Sequence, residues 1–174
     1  MIKGTEFSGL SATGRRNLVS NLHTASMKIV LAVTGGGAAC ISDLLTAPGA
    51  SQTVLEVVVP YSSSSLEELL GKSSNQSVSL ETGREMALAC LERARILDPA
   101  NIEVAGVACT AALTTNRSRR GDNQAWVVIS TNEANYEFHL KLDKDVDERV
   151  HEDRIVSDML LKAIGIAMGV LLNP

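Results

Sequence analysis

Apolar and polar positions along the chain divide it into alternating blocks. After Lys28, residues Ile29 to Val33 form an unbroken apolar run, the pattern of a strand buried on both faces. The run breaks at Gly35-Gly36-Gly37, and Ala38 to Leu45 then reads as a short helix stopped at Pro48-Gly49. Thr53 to Tyr61 is β-branched and apolar, a second strand. Ser64 and Ser65 followed by Leu66, Glu67 and Glu68 predict a capped short helix ending at Gly71.

Ser79 can cap a long helix to about Leu97, because Ala87, Cys90, Leu91, Ala94 and Leu97 fall at helical spacing and Asp98-Pro99 ends it. Glu103 to Cys109 is a small-residue strand, followed by a polar, basic loop from Thr114 to Asp122. Ala125 to Thr131 and Tyr136 to Leu142 predict a hairpin. In its second arm Tyr136, Phe138, Leu140 and Leu142 alternate with Glu137, His139 and Lys141, so that strand is half exposed. A long helix from Asp147 to about Leu172 closes the chain, its second half apolar nearly all round and therefore deeply buried or part of a subunit interface. Arg15 to Ser26 can form a short helix, but residues 1–26 as a whole read as a leader, partly flexible, and the domain as 27–174. Strands alternating with helices, then a late hairpin, predict an α/β fold: a three-layer α/β/α sandwich with a mixed sheet.

Composition narrows this picture. The chain has 174 residues, one ordinary domain, and only 3% are aromatic, so Val, Leu, Ile and Ala must build the core. A net charge of −4 argues against nucleic-acid binding through a general basic field but leaves room for a local basic pocket. Cys40, Cys90 and Cys109 are an odd number with apolar neighbours, which predicts free buried thiols in a reducing compartment. The first residues lack the apolar run of a signal peptide, and Ala163 to Leu172 is too short to span a bilayer. A cytoplasmic protein with no membrane partner is the expectation.

Several positions could carry chemistry. Gly35, Gly36 and Gly37 between strand and helix could let backbone N–H groups approach a phosphate, or could simply make a tight, closely packed turn. Tyr61 and Ser62 at a strand end could orient a ligand; a tyrosine over the sheet edge and a serine cap are the plainer alternatives. Thr110 could offer a polar contact to the same cleft. Arg117, with Arg119 and Arg120, suits phosphate bidentately, against the commoner case of a solvated loop. Arg154 could serve a ligand or pair with Asp153 or Asp158. Metal binding is unsupported: His23, His139 and His151 lack ligand spacing, and the calcium-like run from Asp143 has Glu148 and Arg154 where glycine and an acid are required. A Cys109–His139 dyad is weaker than a buried structural thiol.

The order of these pieces resembles the C-terminal domain of the CinA family. The residues that carry the resemblance are the glycine-rich turn, Pro48-Gly49-Ala50-Ser51, Tyr61-Ser62, Leu69-Leu70-Gly71 and Val78-Ser79. It covers about residues 27–172. It looks closer still to a divergent eukaryotic branch, through Val58-Val59-Pro60-Tyr61-Ser62 and a basic loop ending in Gly121-Asp122; in plants that branch is attached to a nucleotidylyltransferase-like domain.

Bacterial members of the family hydrolyse the amide of nicotinamide mononucleotide. The resemblance, counted back from Pro48, puts Thr34 where the family has its serine and, counted forward from Ser51, puts Leu66 where it has its lysine. A two-residue insertion would instead leave Ala32 at the serine. The family's later glycine- and proline-containing loop is replaced by Ala108 to Leu113. A hydroxyl nucleophile needs a base and donors for the oxyanion, and leucine cannot be that base. The resemblance thus implies Thr34 and Tyr61 as catalytic candidates and Gly35, Gly36, Gly37, Ser62, Thr110 and Arg117 as substrate-binding ones, with no cofactor. It implies a degenerate nicotinamide-nucleotide amidase homologue that keeps a nucleotide ligand. The alternatives are an active amidohydrolase using Thr34, or a non-catalytic module that forms a homo-oligomer through its last helix. A fused or associated nucleotidylyltransferase-like domain is the implied partner.

Overall fold

A computed structural model describes residues 2–3, 9–73, 76–116, 121–143 and 148–171. Its elements in chain order are β1 (Ile2–Lys3), α1 (Ala12–Leu22), β2 (Lys28–Thr34), α2 (Ala38–Thr46), α3 (Ala50–Thr53), β3 (Val54–Val58), α4 (Ser63–Leu70), α5 (Leu80–Leu97), β4 (Val104–Ala112), β5 (Gln124–Thr131), β6 (Asn135–Lys141) and α6 (Arg149–Ala167). The strands make one six-stranded sheet in the order β1-β6-β5-β4-β2-β3. β3, β2 and β4 are mutually parallel, β4–β5 and β5–β6 are antiparallel, and β1 runs parallel to β6.

Alternation along the strands sorts the core into two layers of packing. Ile29, Leu31, Val33 and Val107 join Leu44 of α2 and Met159 and Leu160 of α6 on one side. Val30, Ala32, Ala108 and Val128 join Leu66 of α4 and Met86, Cys90 and Leu91 of α5 on the other. The expected three-layer α/β/α arrangement with a mixed sheet is therefore present. β2 and β4 are covered on both faces, the physical reason their sequences run apolar without alternation. β6, beyond β5, alternates as read, with Phe138 and Leu140 buried and Lys141 exposed.

One alternative is selected and one reading changes. The apolar half of α6 is deeply buried within the chain: Val156, Met159, Leu160, Leu161, Ala163 and Ile164 all lie in the core. Within the expected leader, α1 packs into that same core through Leu18, Val19 and Leu22, so the packed body begins well before Met27. The helix starts at Ala12, where the Ser11 hydroxyl accepts from Gly14 N at 3.0 Å. Each such burial is worth roughly 1.5–3 kcal/mol before ordering entropy is subtracted. Charges fasten α1 further. Arg15 donates to both oxygens of Asp158 on α6, at 2.8 and 3.2 Å, and Asp158 also accepts from Leu10 N at 2.8 Å. Arg154 bridges the same Asp158 to Asp43 of α2.

At one margin of the sheet, β3 is shorter than its apolar run because Pro60 lacks the N–H that would continue the ladder. Its central residue Glu56 accepts two hydrogen bonds from Arg93 of α5, at 2.8 and 3.0 Å.

Candidate functional site

β2 delivers the chain to the site. Its last residue, Thr34, pairs in register with Thr110 of β4. Strand alternation points Thr34 and Thr110 toward the α4/α5 layer, as it does Ala32 and Ala108. Both threonines are buried. The Thr110 hydroxyl donates to the Ser77 carbonyl and that of Thr82 to the Gln76 carbonyl, so the segment leading into α5 lies over this row of hydroxyls. Leu66 sits 2% exposed in the apolar cluster with Val30, Ala32 and Met86. Lys72 pairs with Glu85, and this hydrogen bond pushes its ammonium pKa up, the opposite of what a lysine base requires.

Beyond Thr34 the chain turns to the other face of the sheet. Gly35 and Gly37 have φ of +79° and +92°. The added Cβ at Gly36 would lie 2.8 Å from Leu113 Cδ1, so the turn presses directly on the end of β4. α2 then starts at Gly37 with no side-chain cap of its own. Asp153 of α6 supplies one: its Oδ1 accepts from Gly37 N at 2.8 Å and Ala38 N at 3.0 Å, and its Oδ2 from Ala39 N at 3.0 Å. These are the donors that a phosphate at a helix N-terminus would use.

A cleft of about 430 Å³ opens beside this junction, lined by Val33, Gly36, Val59, Tyr61, Arg149 and Val150, with Asp153 also in its lining. Its volume falls in the range of small-molecule sites. Arg149 spans it, donating to Gly35 O at 2.9 Å, to Tyr61 Oη at 3.1 Å and to Thr114 O at 3.0 Å. Val59, Tyr61 and Val150 are 52%, 67% and 75% exposed, so three large apolar surfaces face solvent around one guanidinium.

The neighbouring residue on α6, Glu152, is fully buried and ties the junction together. It accepts from Thr114 N and Thr114 Oγ1, the latter at 3.0 Å, and from Asn123 Nδ2 at 2.7 Å. The end of β4 and the start of β5 are thus both fixed to α6.

The sequence-derived candidates are divided by this geometry. Gly35, Gly36 and Tyr61 line the cleft and Gly37 adjoins it. Thr34 and Thr110 lie on the opposite side of the sheet under the α5 entry segment, so Thr110 does not face the glycine turn. Thr34 is the last residue of β2. Ser62 caps α4 by accepting from Ser65 N at 3.2 Å. Arg117, Arg119 and Arg120 lie outside the described residues. Arg154 is held between Asp43 and Asp158, an ion-pair role. Cys109 faces the α2/α6 layer while His139 stacks on Trp126, with ring centroids 3.9 Å apart; burial pushes the Cys109 thiol pKa up, away from a reactive thiolate.

Sequence reading missed Arg149, Glu152 and Asp153. Their spacing is a weak signal: Arg149 and Asp153 are four apart and share a helix face, a pattern shared by many solvated helices.

Compared as a sequence, the chain matches no family model and no curated protein. Compared as a fold, it is similar to solved structures of the CinA superfamily. A superfamily protein from Escherichia coli superposes with a TM-score of 0.68 at 18% identity, covering 95% of this chain and 96% of that one. The competence/damage inducible protein CihA from Agrobacterium tumefaciens gives 0.67 at 16%, covering 98% and 99%. Competence damage-inducible protein A from Klebsiella pneumoniae gives 0.68 at 13%, covering 89% and 95%. The chain has a CinA-like fold. No helix among the described residues is long and apolar enough to cross a membrane.

Proposed function

We propose that this domain is a CinA-like ligand-binding module, a degenerate relative of the nicotinamide-nucleotide amidases with no amide-hydrolysing centre of its own. The observation that carries this reading is Leu66 at 2% exposure inside an apolar cluster, on the same side of the sheet as the buried Thr34. An alcohol nucleophile must lose its proton to a neighbouring base as it attacks. Here the expected base position is hydrocarbon, and Lys72 is committed to Glu85. Thr34 itself is only 6% exposed, which leaves little room for a carbonyl carbon to approach its oxygen. The cleft at Tyr61 and Arg149 is the ligand site in this reading, since it combines suitable volume, exposed apolar walls and a fixed cation.

The reading is tested by incubating the purified chain with nicotinamide mononucleotide and following ammonia release. The expected outcome is no turnover above buffer, and none gained or lost in Thr34→Ala. Turnover that Thr34→Ala abolishes would overturn it in favour of an active amidohydrolase. Self-association through α6 has no comparable support, because Leu160 and its neighbours are already covered by the chain's own core.

A further inference from the structure

We infer that the Asp153 carboxylate is a built-in anion that sets the specificity of the Tyr61–Arg149 cleft, turning away ligands that carry a phosphate or carboxylate at the α2 end. This rests on the reading of that cleft as the ligand site and names the class of ligand it takes: one whose group at that end is uncharged.

Occupancy and charge both act at this end of the cleft. A helix start presents N–H groups that need acceptors, and its macrodipole favours an anion there. In many helices a Ser, Thr, Asp or Asn at the cap supplies that acceptor locally. Here the cap is Gly37, which has no side chain, and the acceptor comes from a helix 116 residues further along the chain. Three donors, at 2.8, 3.0 and 3.0 Å, go to the two oxygens of one carboxylate. An incoming phosphate would have to expel Asp153 to reach them. If it settled beside Asp153 instead, it would meet a like charge at close range. The Arg149 guanidinium keeps its positive charge, but three of its N–H groups already donate to Gly35 O, Thr114 O and Tyr61 Oη, so fewer of its five donors remain for an incoming anion. The walls at that end, Val33 and Ala38, offer no further cation.

The same geometry predicts the effect of removing the internal anion. Asp153→Ala leaves three oriented donors beside Arg149 with no acceptor, which is a receptor for a small external anion. Melting temperatures of wild type and Asp153→Ala are measured in sodium phosphate and in sodium acetate against sodium chloride of equal ionic strength. Wild type is expected to show only the small, non-saturating rise that excluded salts such as phosphate give proteins in general. The variant, destabilised in chloride, is expected to regain a saturable rise of about 2–4 °C once either anion exceeds its dissociation constant several-fold. A variant that is unfolded in chloride but recovers native circular dichroism in acetate supports the inference equally. Asp153→Asn, isosteric but uncharged, is the second variant, with its amide proton signals at Gly37, Ala38 and Ala39 followed during phosphate titration. These signals should move in Asp153→Asn and stay fixed in wild type. Equal phosphate response in wild type and variants, or none in either variant, would overturn the inference. Ammonia release from nicotinamide mononucleotide by wild type bears on the absence of catalysis alone, so the two readings fail separately.

Discussion

The Cβ that Gly35 lacks would lie 1.9 Å from the carbonyl oxygen of Ala111, and the φ of Gly35 is +79°. Backbone meets backbone there, so no rotamer change can relieve the contact. Gly35→Ala is expected to cost more than about 4 kcal/mol, in the range of an incompatible core substitution. Gly71 has a similar φ of +68° but nothing within 4 Å of its added Cβ, so Gly71→Ala should cost only about 1–2 kcal/mol. Urea denaturation of the two variants side by side separates close approach from backbone conformation.

Glu152 is surrounded by donors. Thr114 N, Thr114 Oγ1 and Asn123 Nδ2 all give hydrogen bonds to its carboxylate. A glutamine would turn an NH₂ toward at least one of them. Glu152→Gln is therefore expected to destabilise by about 2–3 kcal/mol, close to the effect of Glu152→Ala, because each change leaves a buried donor unmatched. Denaturation midpoints measure this; a Gln variant as stable as wild type would contradict the assignment of donors.

Asp158 makes the fold sensitive to acid. Burial pushes its carboxyl pKa up, but hydrogen bonds from Arg15 and Leu10 N, with the charge of Arg154, outweigh burial and hold it below the ordinary value. A carboxyl depressed in the folded state stabilises it above the unfolded pKa of about 3.9, and that contribution fades as pH falls through the lower folded value. Wild type should accordingly lose stability below about pH 4 more steeply than Asp158→Asn. Urea midpoints at pH 7 and pH 3 check this, and superimposable acid limbs would exclude Asp158 as the cause.

The layers of the fold were readable because burial on both faces leaves runs such as Ile29 to Val33, and burial on one face leaves the alternation of Tyr136 to Leu142. A short helix over Arg15 to Ser26 was legible, but the docking of α1 was hidden because only Leu18, Val19 and Leu22 of its eleven residues reach the core, too few to set a period. The site was legible in part. Gly35 to Gly37 and Tyr61 mark the cleft, since a tight turn and a strand end both leave compositional traces. Side of sheet was the missing dimension. One step of strand alternation sends Thr34 under the α5 entry segment, while the glycines that follow open on the α6 side. Asp153 and Arg149 act across more than a hundred residues of sequence, a proximity that only the folded chain creates.

The ion pair on β3 bears on how the molecule behaves in a crowd. A terminal strand with free N–H and C=O groups is a template on which a second polypeptide can polymerise, and the residues 54 to 58 (Val-Leu-Glu-Val-Val) would otherwise be well suited to it. Glu56 in the middle of that stretch acts as a gatekeeper against aggregation, since it and Arg93 put a charged pair where the side chains of a stacked copy would have to pack. The shortness of the strand, closed off by Pro60, limits the template further.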